Sequence, residues 1–264
     1  MLRLTPVVKN LLIINIVVFI LQYVLQGMDF TGLISLWIIE SDNFKPYQYF
    51  TYMFAHGGFG HILFNMLGLV FLGPLLEQFW GPKKFLIFYM VTGIGAGVLY
   101  SGIEYWRTSQ LESDVTAYVI EPTPDHFSRF ADEHGQYFNS KVYDFANDFS
   151  KNPEDPYYIN QSKEIVKGTY QSLLNGSSML GASGAVYGIL MAFGLLFPNT
   201  QLMLLIPPIP IKAKYLVLIL GGIALYSGLN RESGDNVAHF AHLGGMIFAF
   251  IMIKIWQQNR DKFY

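Results

Sequence analysis

The sequence contains no cysteine and little charge. The absence of a thiol excludes a cysteine nucleophile, an iron–sulfur cluster and a disulfide bond within the chain. Only 14% of the 264 residues are charged, whereas about 25% is usual in a soluble domain. A net charge of −2 without a clustered basic face gives no reason to expect nucleic acid as a partner. The composition therefore indicates that much of this chain contacts membrane lipid.

Six apolar stretches with few charges are candidates for membrane-spanning helices. A helix needs about 20 mostly apolar residues to cross the hydrocarbon core of a bilayer. The six stretches cover residues 10–25, 61–76, 85–105, 182–197, 215–229 and 240–256. Several are short, so flanking residues, local thinning of the bilayer or burial inside a bundle must complete them. The pattern predicts an all-α polytopic membrane protein with six transmembrane helices.

Positive charge predicts how these helices are oriented. The first stretch lacks a small-residue cleavage site, so it is interpreted as a retained helix and not as a signal peptide. With the N-terminus inside, nine Lys and Arg residues fall in inner segments and two in short outer loops. The nine are Arg3, Lys9, Lys83, Lys84, Lys212, Lys214, Lys254, Arg260 and Lys262, and the two are Lys45 and Arg231. We expect both termini in the cytoplasm and, since no organellar targeting segment is visible, a bacterial inner membrane.

Residues 106–178 differ in composition from the apolar stretches around them. They contain eleven Asp and Glu against six Lys and Arg, without a long apolar run. Phe127, Phe130, Phe145 and Phe149 recur near helical spacing, residues 123–124 (Thr-Pro) resemble a helix start, and a second amphipathic helix is expected over 157–174. This predicts a soluble helical insertion, with its apolar stripes facing either one another or the membrane surface. The chain is thereby divided into 1–105 and 179–264, the two membrane parts, and 106–178, the extracytoplasmic insertion.

Strongly polar side chains are concentrated at the outer ends of the second, fourth and sixth stretches. These three helices run from outside to inside, so their N-terminal ends share one membrane face. The residues are His56, His61 and Asn65 in HGGFGHILFN, Ser183 in GASGAVYG, and His239 and His242 in HFAHLGG. Polar groups at membrane depth are costly, which makes each of them a functional candidate.

These residue types are suited to nucleophilic catalysis. A serine becomes a nucleophile when a histidine accepts its proton, and Ser183 and His242 are placed to do this. His61 and Asn65 lie four residues apart on one helix face and carry N–H donors for a developing oxyanion. Tyr187 lies one turn after Ser183, where its ring can rest against the imidazole.

Small residues around the polar ones predict close helix packing. Gly184, Gly244 and Gly245 allow the fourth and sixth helices to approach each other. His239 precedes His242 by three residues and competes with it as the base, but the HLGG context favours His242. We therefore assign His239 a structural role.

The segments HGGFGHILFN, GASGAVYG and AHLGG, in this order on alternate helices, resemble the rhomboid family of intramembrane serine proteases. The resemblance covers the membrane portion but not the insertion. It implies a six-helix rhomboid-type bundle with a Ser183–His242 dyad, no cofactor and no metal. It also implies an oxyanion site that includes His61 and Asn65, with His56 supporting the first outer loop. Gly181 and Tyr187 are further supporting candidates beside Ser183. The implied substrates are transmembrane segments of other membrane proteins.

Two positions depart from the pattern of the family. Many members carry a Trp-Arg pair in the first outer loop, where this chain has Tyr47 and Gln48. The sixth helix of the family often shows GxxxG, where this chain has Gly245 and Ala249. Alanine is still small, so close helix packing is expected to survive.

Other classes of protein fit the sequence less well. Four histidines near one face can bind zinc, but the chain has no HExxH segment, which disfavours a metalloprotease. Asp235 has no aspartate partner within an apolar stretch, which disfavours an aspartyl protease. Ala185 replaces the last glycine of the GxSxG pattern of soluble hydrolases. The main alternative is a non-catalytic rhomboid-like protein that binds membrane clients, and the natural substrate and oligomeric state stay open.

Overall fold

A computed structural model describes residues 4–176, 178–203, 208–230 and 237–260. Arg3, Arg231, Asp235 and Lys262, which entered the arguments on orientation and on aspartyl chemistry, lie outside the described residues.

The described chain is mostly helical, as the sequence predicts. Its α-helices are α1 (Pro6–Val24), α2 (Phe30–Ile34), α3 (Gln48–Thr51), α4 (Phe59–Trp80), α5 (Pro82–Ile120), α6 (Pro124–Glu133), α7 (Lys141–Lys151), α8 (Pro156–Gly176), α9 (Ser183–Leu196), α10 (Ala213–Leu229) and α11 (His239–Arg260). Single 3₁₀ turns cover Gln26–Met28, Tyr52–Phe54 and Gly135–Tyr137. Two antiparallel strand pairs join β1 (Leu36–Trp37) to β2 (Ser178–Met179) and β3 (Gln201–Met203) to β4 (Pro210–Lys212).

Among the residues that the structure describes, four helices are long and apolar enough to cross a membrane: α1, α4, α5 and α11, with mean hydropathies of 2.1, 1.8, 1.7 and 1.4. The chain is therefore an integral membrane protein. The predicted fourth and fifth spans form α9 and α10, which are apolar but have only 14 and 17 residues. Because α9 packs against α4, α5, α10 and α11, it is enclosed by protein on several sides. The six-span count stays a prediction.

Close backbone contact holds α9, α5 and α11 together. A side chain at Gly245 would overlap the carbonyl oxygen of Gly184. A Cβ at Gly244 would lie 3.0 Å from the Cα of Ala96, and one at Gly184 would lie 2.5 Å from the Cβ of Ala96. The space between these helices is thus sized for glycine, which brings the start of α11 against the start of α9.

A buried carboxylate joins α4 to the start of α1. Glu77 is almost fully buried near the end of α4 and accepts hydrogen bonds from the Val7 and Val8 amides, each at 3.0 Å, and from the Thr5 hydroxyl. The first amides of a helix have no partner within the helix, and a negative charge there is favourable. Glu77 therefore caps α1 from another helix.

The insertion forms a second, separate hydrophobic core. Helix α5 continues without a break through the predicted boundary at 105/106 and ends at Ile120, and α6, α7 and α8 pack around its second half. Thr123 caps α6 as predicted, with Pro124 in the first turn. Three helices follow α5 where the sequence predicts two, since the chain turns at Gly135–Tyr137. The buried rings of Phe127 and Phe149 face this core, so the apolar stripes cover one another.

The insertion is attached to the first outer loop, which lies between α1 and α4. Ile38 of this loop is part of the insertion core, and the Thr108 hydroxyl donates to the Glu40 carboxylate at 2.9 Å. Strand β1 of the loop pairs with β2, which lies between α8 and Ser183. The insertion therefore connects the first outer loop to the chain segment that leads into α9.

Candidate active site

Ser183 and His242 meet at the starts of two helices. Ser183 is the first residue of α9 and His242 is the fourth of α11. The Nε2 atom of His242 lies 2.9 Å from the Oγ of Ser183, which is hydrogen-bond distance. The positive end of the α9 dipole lies beside the serine and favours negative charge there. The pair has the geometry that a base and a nucleophile require.

The ring of Tyr187 holds one face of the His242 imidazole. The two rings are stacked with their centroids 4.1 Å apart and their planes inclined by 4°. Tyr187 follows Ser183 by one helical turn, so the serine and the stacked ring come from the same face of α9. The stack limits rotation of the imidazole away from Ser183.

Gly181 brings the chain before Ser183 against α4. Its φ of +123° lies in a region that favours glycine, and its amide donates to the carbonyl of Tyr52 at 2.9 Å. A Cβ at Gly181 would lie 2.6 Å from the Nε2 of His61 and 3.7 Å from the Nδ2 of Asn65. His61 and Asn65 therefore face the segment that leads into Ser183.

Asn65 offers an unused donor at this position. Its side chain is buried, and its Nδ2 has no hydrogen-bond partner among the described residues. A buried polar group without a partner costs free energy, and such groups often have a functional role. The amide is therefore free to donate to an acceptor that enters the site.

His56 lies beside His61, and its backbone is held by hydrogen bonds to another helix. The two rings meet edge to face with centroids 5.2 Å apart. The amide and carbonyl of His56 bond to the side chain of Gln22 on α1, and its Nδ1 is 3.2 Å from the carbonyl oxygen of Phe54. His56 thus supports the end of the first outer loop, next to His61.

His239 lies beside His242 but belongs to a different set of contacts. The two rings are perpendicular, with centroids 6.2 Å apart. His239 lines a small pocket with Glu104 and Arg107 of α5. The Arg107 guanidinium bonds to Glu104 at 3.1 Å and to the carbonyl of Gly228 at 3.1 Å, and it lies over the Phe240 ring. This network joins α5 to the end of α10 and the start of α11.

Gln48, one of the two departures from the family pattern, is a buried anchor of the first outer loop. Its Nε2 donates to the carbonyls of Asn43 at 3.0 Å and Leu33 at 3.4 Å. Its Oε1 accepts from the amides of Lys45 at 3.1 Å and Trp37 at 3.4 Å. A neutral amide thus satisfies four backbone groups of the loop.

Two residues of this site, Gln22 and Tyr52, are not among the candidates that the sequence predicts. Gln22 was hidden in the first apolar stretch, although an amide side chain at membrane depth is itself a signal. Tyr52, whose carbonyl binds Gly181 and whose hydroxyl donates to the carbonyl of Gly93 at 2.6 Å, gives no such signal.

One group of potential metal ligands occurs among the described residues, formed by Asp114, Glu133 and His134. Their ligand atoms lie within 4.8 Å of one another, which is close enough to hold a metal ion. It belongs to the insertion and not to the site at Ser183. His134 is 2.9 Å from the Asp114 carboxylate, which accounts for the cluster as an ion pair or hydrogen bond.

Comparison with known proteins gives consistent matches. The Rhomboid domain family model matches residues 43–109 and 159–258, and most of the insertion lies in the gap between them. RHOMBOID-like protein 12, mitochondrial, of Arabidopsis thaliana is 27% identical over 97% of this chain and 60% of its own length. An uncharacterized mitochondrial rhomboid protein of Schizosaccharomyces pombe is 27% identical over 78% of this chain and 50% of its own. Rhomboid protease GlpG of Klebsiella pneumoniae is 30% identical over 35% of this chain and 33% of its own.

These relatives bear on both location and family. Two of them are mitochondrial by name, so they do not support the expectation of a bacterial inner membrane. The chain spans about 60% and 50% of the lengths of these two relatives. The family model matches both parts of the membrane bundle, on either side of the insertion, and takes in the segments that carry His56, His61, Asn65, Ser183 and His242. The chain therefore belongs to the rhomboid family.

Proposed function

We propose that this protein is an intramembrane serine endopeptidase that cleaves transmembrane segments of other membrane proteins. The observation that carries the proposal is the 2.9 Å distance between Ser183 Oγ and His242 Nε2, with Tyr187 stacked on the imidazole. A serine between small residues is ordinarily a packing residue in a membrane helix. A histidine from another helix within hydrogen-bond distance supports catalysis instead.

In the proposed reaction, the Ser183 Oγ attacks the carbonyl carbon of the scissile peptide bond and its proton passes to His242 Nε2. The tetrahedral intermediate then expels the amine, which takes the proton from His242, and an ester on Ser183 is left. His242 next removes a proton from water as the water oxygen attacks the ester carbon. The ester bond then breaks, His242 returns the proton to the Ser183 Oγ, and the acid is released. No cofactor is required for these steps.

The oxyanion of the tetrahedral intermediate needs fixed donors. We assign this role to the Nδ2 of Asn65, which is buried and unpartnered among the described residues, and to the Nε2 of His61. Both atoms face Gly181, two residues before the nucleophile. A single oxyanion donor is worth about 3 to 4 kcal/mol in the transition state.

The proposed substrate is a helix that unwinds locally to expose its backbone at the outer face. Peptide groups inside a regular helix are bonded to one another and are shielded from attack. Substrates with small or helix-weakening residues near the scissile bond are therefore expected to react fastest. The proposed topology has six spans, both termini in the cytoplasm, and the site open to the opposite side.

The test is labelling of the detergent-purified protein with a fluorophosphonate probe. Wild type is expected to label, and Ser183→Ala and His242→Ala are expected to lose labelling by at least about 1,000-fold, as for removal of a dyad member. Ser178→Ala, five residues before the nucleophile, is the matched control and is expected to label normally. Labelling that persists in Ser183→Ala rejects the assignment of the nucleophile.

A second assay separates a protease from a client-binding protein. Wild type is incubated in liposomes with single-pass substrates of varied helix stability, and the cleavage products are identified by mass spectrometry. Cleavage by wild type and not by Ser183→Ala is expected. Binding of these substrates without cleavage or labelling supports the non-catalytic alternative.

A further inference from the structure

Both the oxygen and the nitrogen of the Gln22 side-chain amide form hydrogen bonds to the first outer loop. Gln22 lies near the end of α1 and is 6% exposed. Its Oε1 accepts from the amide of His56 at 2.9 Å, and its Nε2 donates to the carbonyl of His56 at 3.2 Å and to the hydroxyl of Thr31 at 3.1 Å. The backbone at His56 is thus fixed from both sides by a residue of another helix.

The peptide group between His56 and Gly57 transmits this constraint to His61. The carbonyl of this peptide group accepts from Gln22, and its N–H, which belongs to Gly57, donates to the Nδ1 of His61 at 3.3 Å. A peptide group is planar, so the direction of its carbonyl fixes the direction of its N–H. By holding the carbonyl, Gln22 also aims the N–H at the imidazole.

This hydrogen bond determines which nitrogen of His61 carries the proton. A neutral imidazole has one nitrogen that donates and one that accepts. Because Nδ1 accepts from Gly57, the proton of the neutral ring lies on Nε2. The Nε2 atom faces Gly181, at 2.6 Å from the position of a Cβ there. The donor is therefore directed toward Gly181, two residues before Ser183.

The neighbouring His56 ring does not compete for this arrangement. Its Nδ1 is engaged with the carbonyl of Phe54 at 3.2 Å, and its ring meets that of His61 edge to face. The hydrogen bond that sets the proton position of His61 thus comes from the peptide group that Gln22 holds.

We infer that Gln22 is a positioning residue that keeps His61 in the Nε2–H form, so that it acts as an oxyanion donor. The inference rests on the proposed function for the role of His61. The fixation of the proton position is a separate claim that can be measured without activity. Gln22 itself does not contact the substrate; it acts through a peptide group and an imidazole.

Nitrogen-15 NMR of histidine-labelled protein tests the proton position directly. The spectrum distinguishes the Nε2–H from the Nδ1–H form, and a His61→Ala sample identifies the signals of His61. At a pH where the ring is neutral, wild type is expected to show the Nε2–H form alone. Gln22→Met, of similar length, is expected to add a population of the Nδ1–H form. An unchanged His61 spectrum in a folded Gln22→Met protein overturns the inference.

Kinetics of fluorophosphonate inactivation test whether Gln22 acts through His61. Loss of a complete oxyanion donor costs about 100- to 1,000-fold in rate, so Gln22→Met, which weakens one donor, is expected to slow inactivation about tenfold. In a His61→Ala background the same substitution is expected to have no further effect, since the residue it acts through is gone. An equal tenfold loss in both backgrounds overturns the inference and indicates a general effect on folding.

A matched control lies on the same helix. Asn15 is a fully buried amide of α1 that donates to the carbonyl of Leu11. Asn15→Leu removes a buried amide without touching His56 and is expected to leave the His61 spectrum and the inactivation rate unchanged. If Gln22→Met does not fold, Gln22→Leu offers a second apolar shape. If wild type does not label but Gln22→Met shows the expected NMR change, the proposed function is rejected. The inference that Gln22 sets the proton position of His61 is then still supported.

Discussion

The membrane bundle and the insertion are both built from helices, but their helices meet through different surfaces. In the bundle, α11 rests on α5 and α9 at Gly244, Gly245 and Gly184, where backbones nearly touch. In the insertion, the helices meet through large rings, with Phe127 and Phe149 fully buried. The same secondary structure is thus held together by close backbone approach in one region and by ring burial in the other.

The outer faces of the two regions explain this difference. Bundle helices expose apolar side chains such as Leu218, 70% exposed, and Phe64, 67% exposed. The insertion has an exposed ion pair between Asp148 and Lys151. Lipid is as apolar as leucine, so bundle helices gain little from hiding leucine and rely on packing and hydrogen bonds. The insertion carries charged side chains on its outer face, and for a region that faces water ring burial is strongly favourable.

Phe127→Ala is expected to have the largest effect on stability. Truncation of a buried phenylalanine costs about 3 to 5 kcal/mol, and this ring is at the centre of the insertion core. If the two cores are independent, the insertion becomes sensitive to proteolysis while the fluorophosphonate reaction changes by less than about twofold. Cleavage of transmembrane substrates is expected to change more, because the insertion is joined to the loop and strand beside Ser183.

The control for Phe127→Ala is Ile120→Ala, because Ile120 is 80% exposed at the end of α5. It is expected to leave protease resistance unchanged. If Phe127→Ala lowers the probe reaction and the substrate cleavage equally, the two cores fold as one unit.

Gly245→Val tests the glycine contact of the bundle. The new side chain would overlap a backbone carbonyl of α9, which no rotamer change relieves, so a cost of about 3 kcal/mol is expected, at the upper end for overpacking. The midpoint of thermal unfolding in detergent and the probe reaction are both expected to fall, while protease resistance of the insertion persists. Gly222→Ala, with open space around it, is the control. A Gly245→Val protein as stable and reactive as wild type would show that α9 and α11 pack more loosely than described.

Tyr118→Phe is expected to have a smaller effect than Phe127→Ala or Gly245→Val. The Tyr118 hydroxyl bonds to Ser162 inside the insertion, and loss of such a neutral hydrogen bond costs about 1 kcal/mol. Hydrogen exchange of the insertion amides at increasing denaturant concentration measures this change in stability.

Asp148→Ala removes an exposed ion pair and is expected to change stability by less than about 0.5 kcal/mol. A larger loss in Asp148→Ala than in Tyr118→Phe would contradict the view that burial dominates this region.

The sequence by itself determined the features that depend on local pattern. Hydropathy located the apolar helices, and polar residues at three helix starts marked the side chains that come together at α4, α9 and α11. The spacing of His61 and Asn65 on one helix placed both on one side of α4, and Thr123 with Pro124 marked the start of α6. Each of these follows from helix geometry or from the cost of polar groups in lipid, which need only neighbouring residues to be known.

Tertiary structure alone decided the features that depend on distant residues. Helix α5 crosses the predicted boundary because no local signal ends it at residue 105, and only the fold shows that the 14-residue helix α9 packs against four other helices. The attachment of the insertion to the first outer loop, and the contact of Gln22 with His56, join residues far apart in the chain. Hydrogen-bond partners and backbone contacts of this kind are set by how helices pack in three dimensions. They cannot be predicted from the local pattern of residues in the sequence.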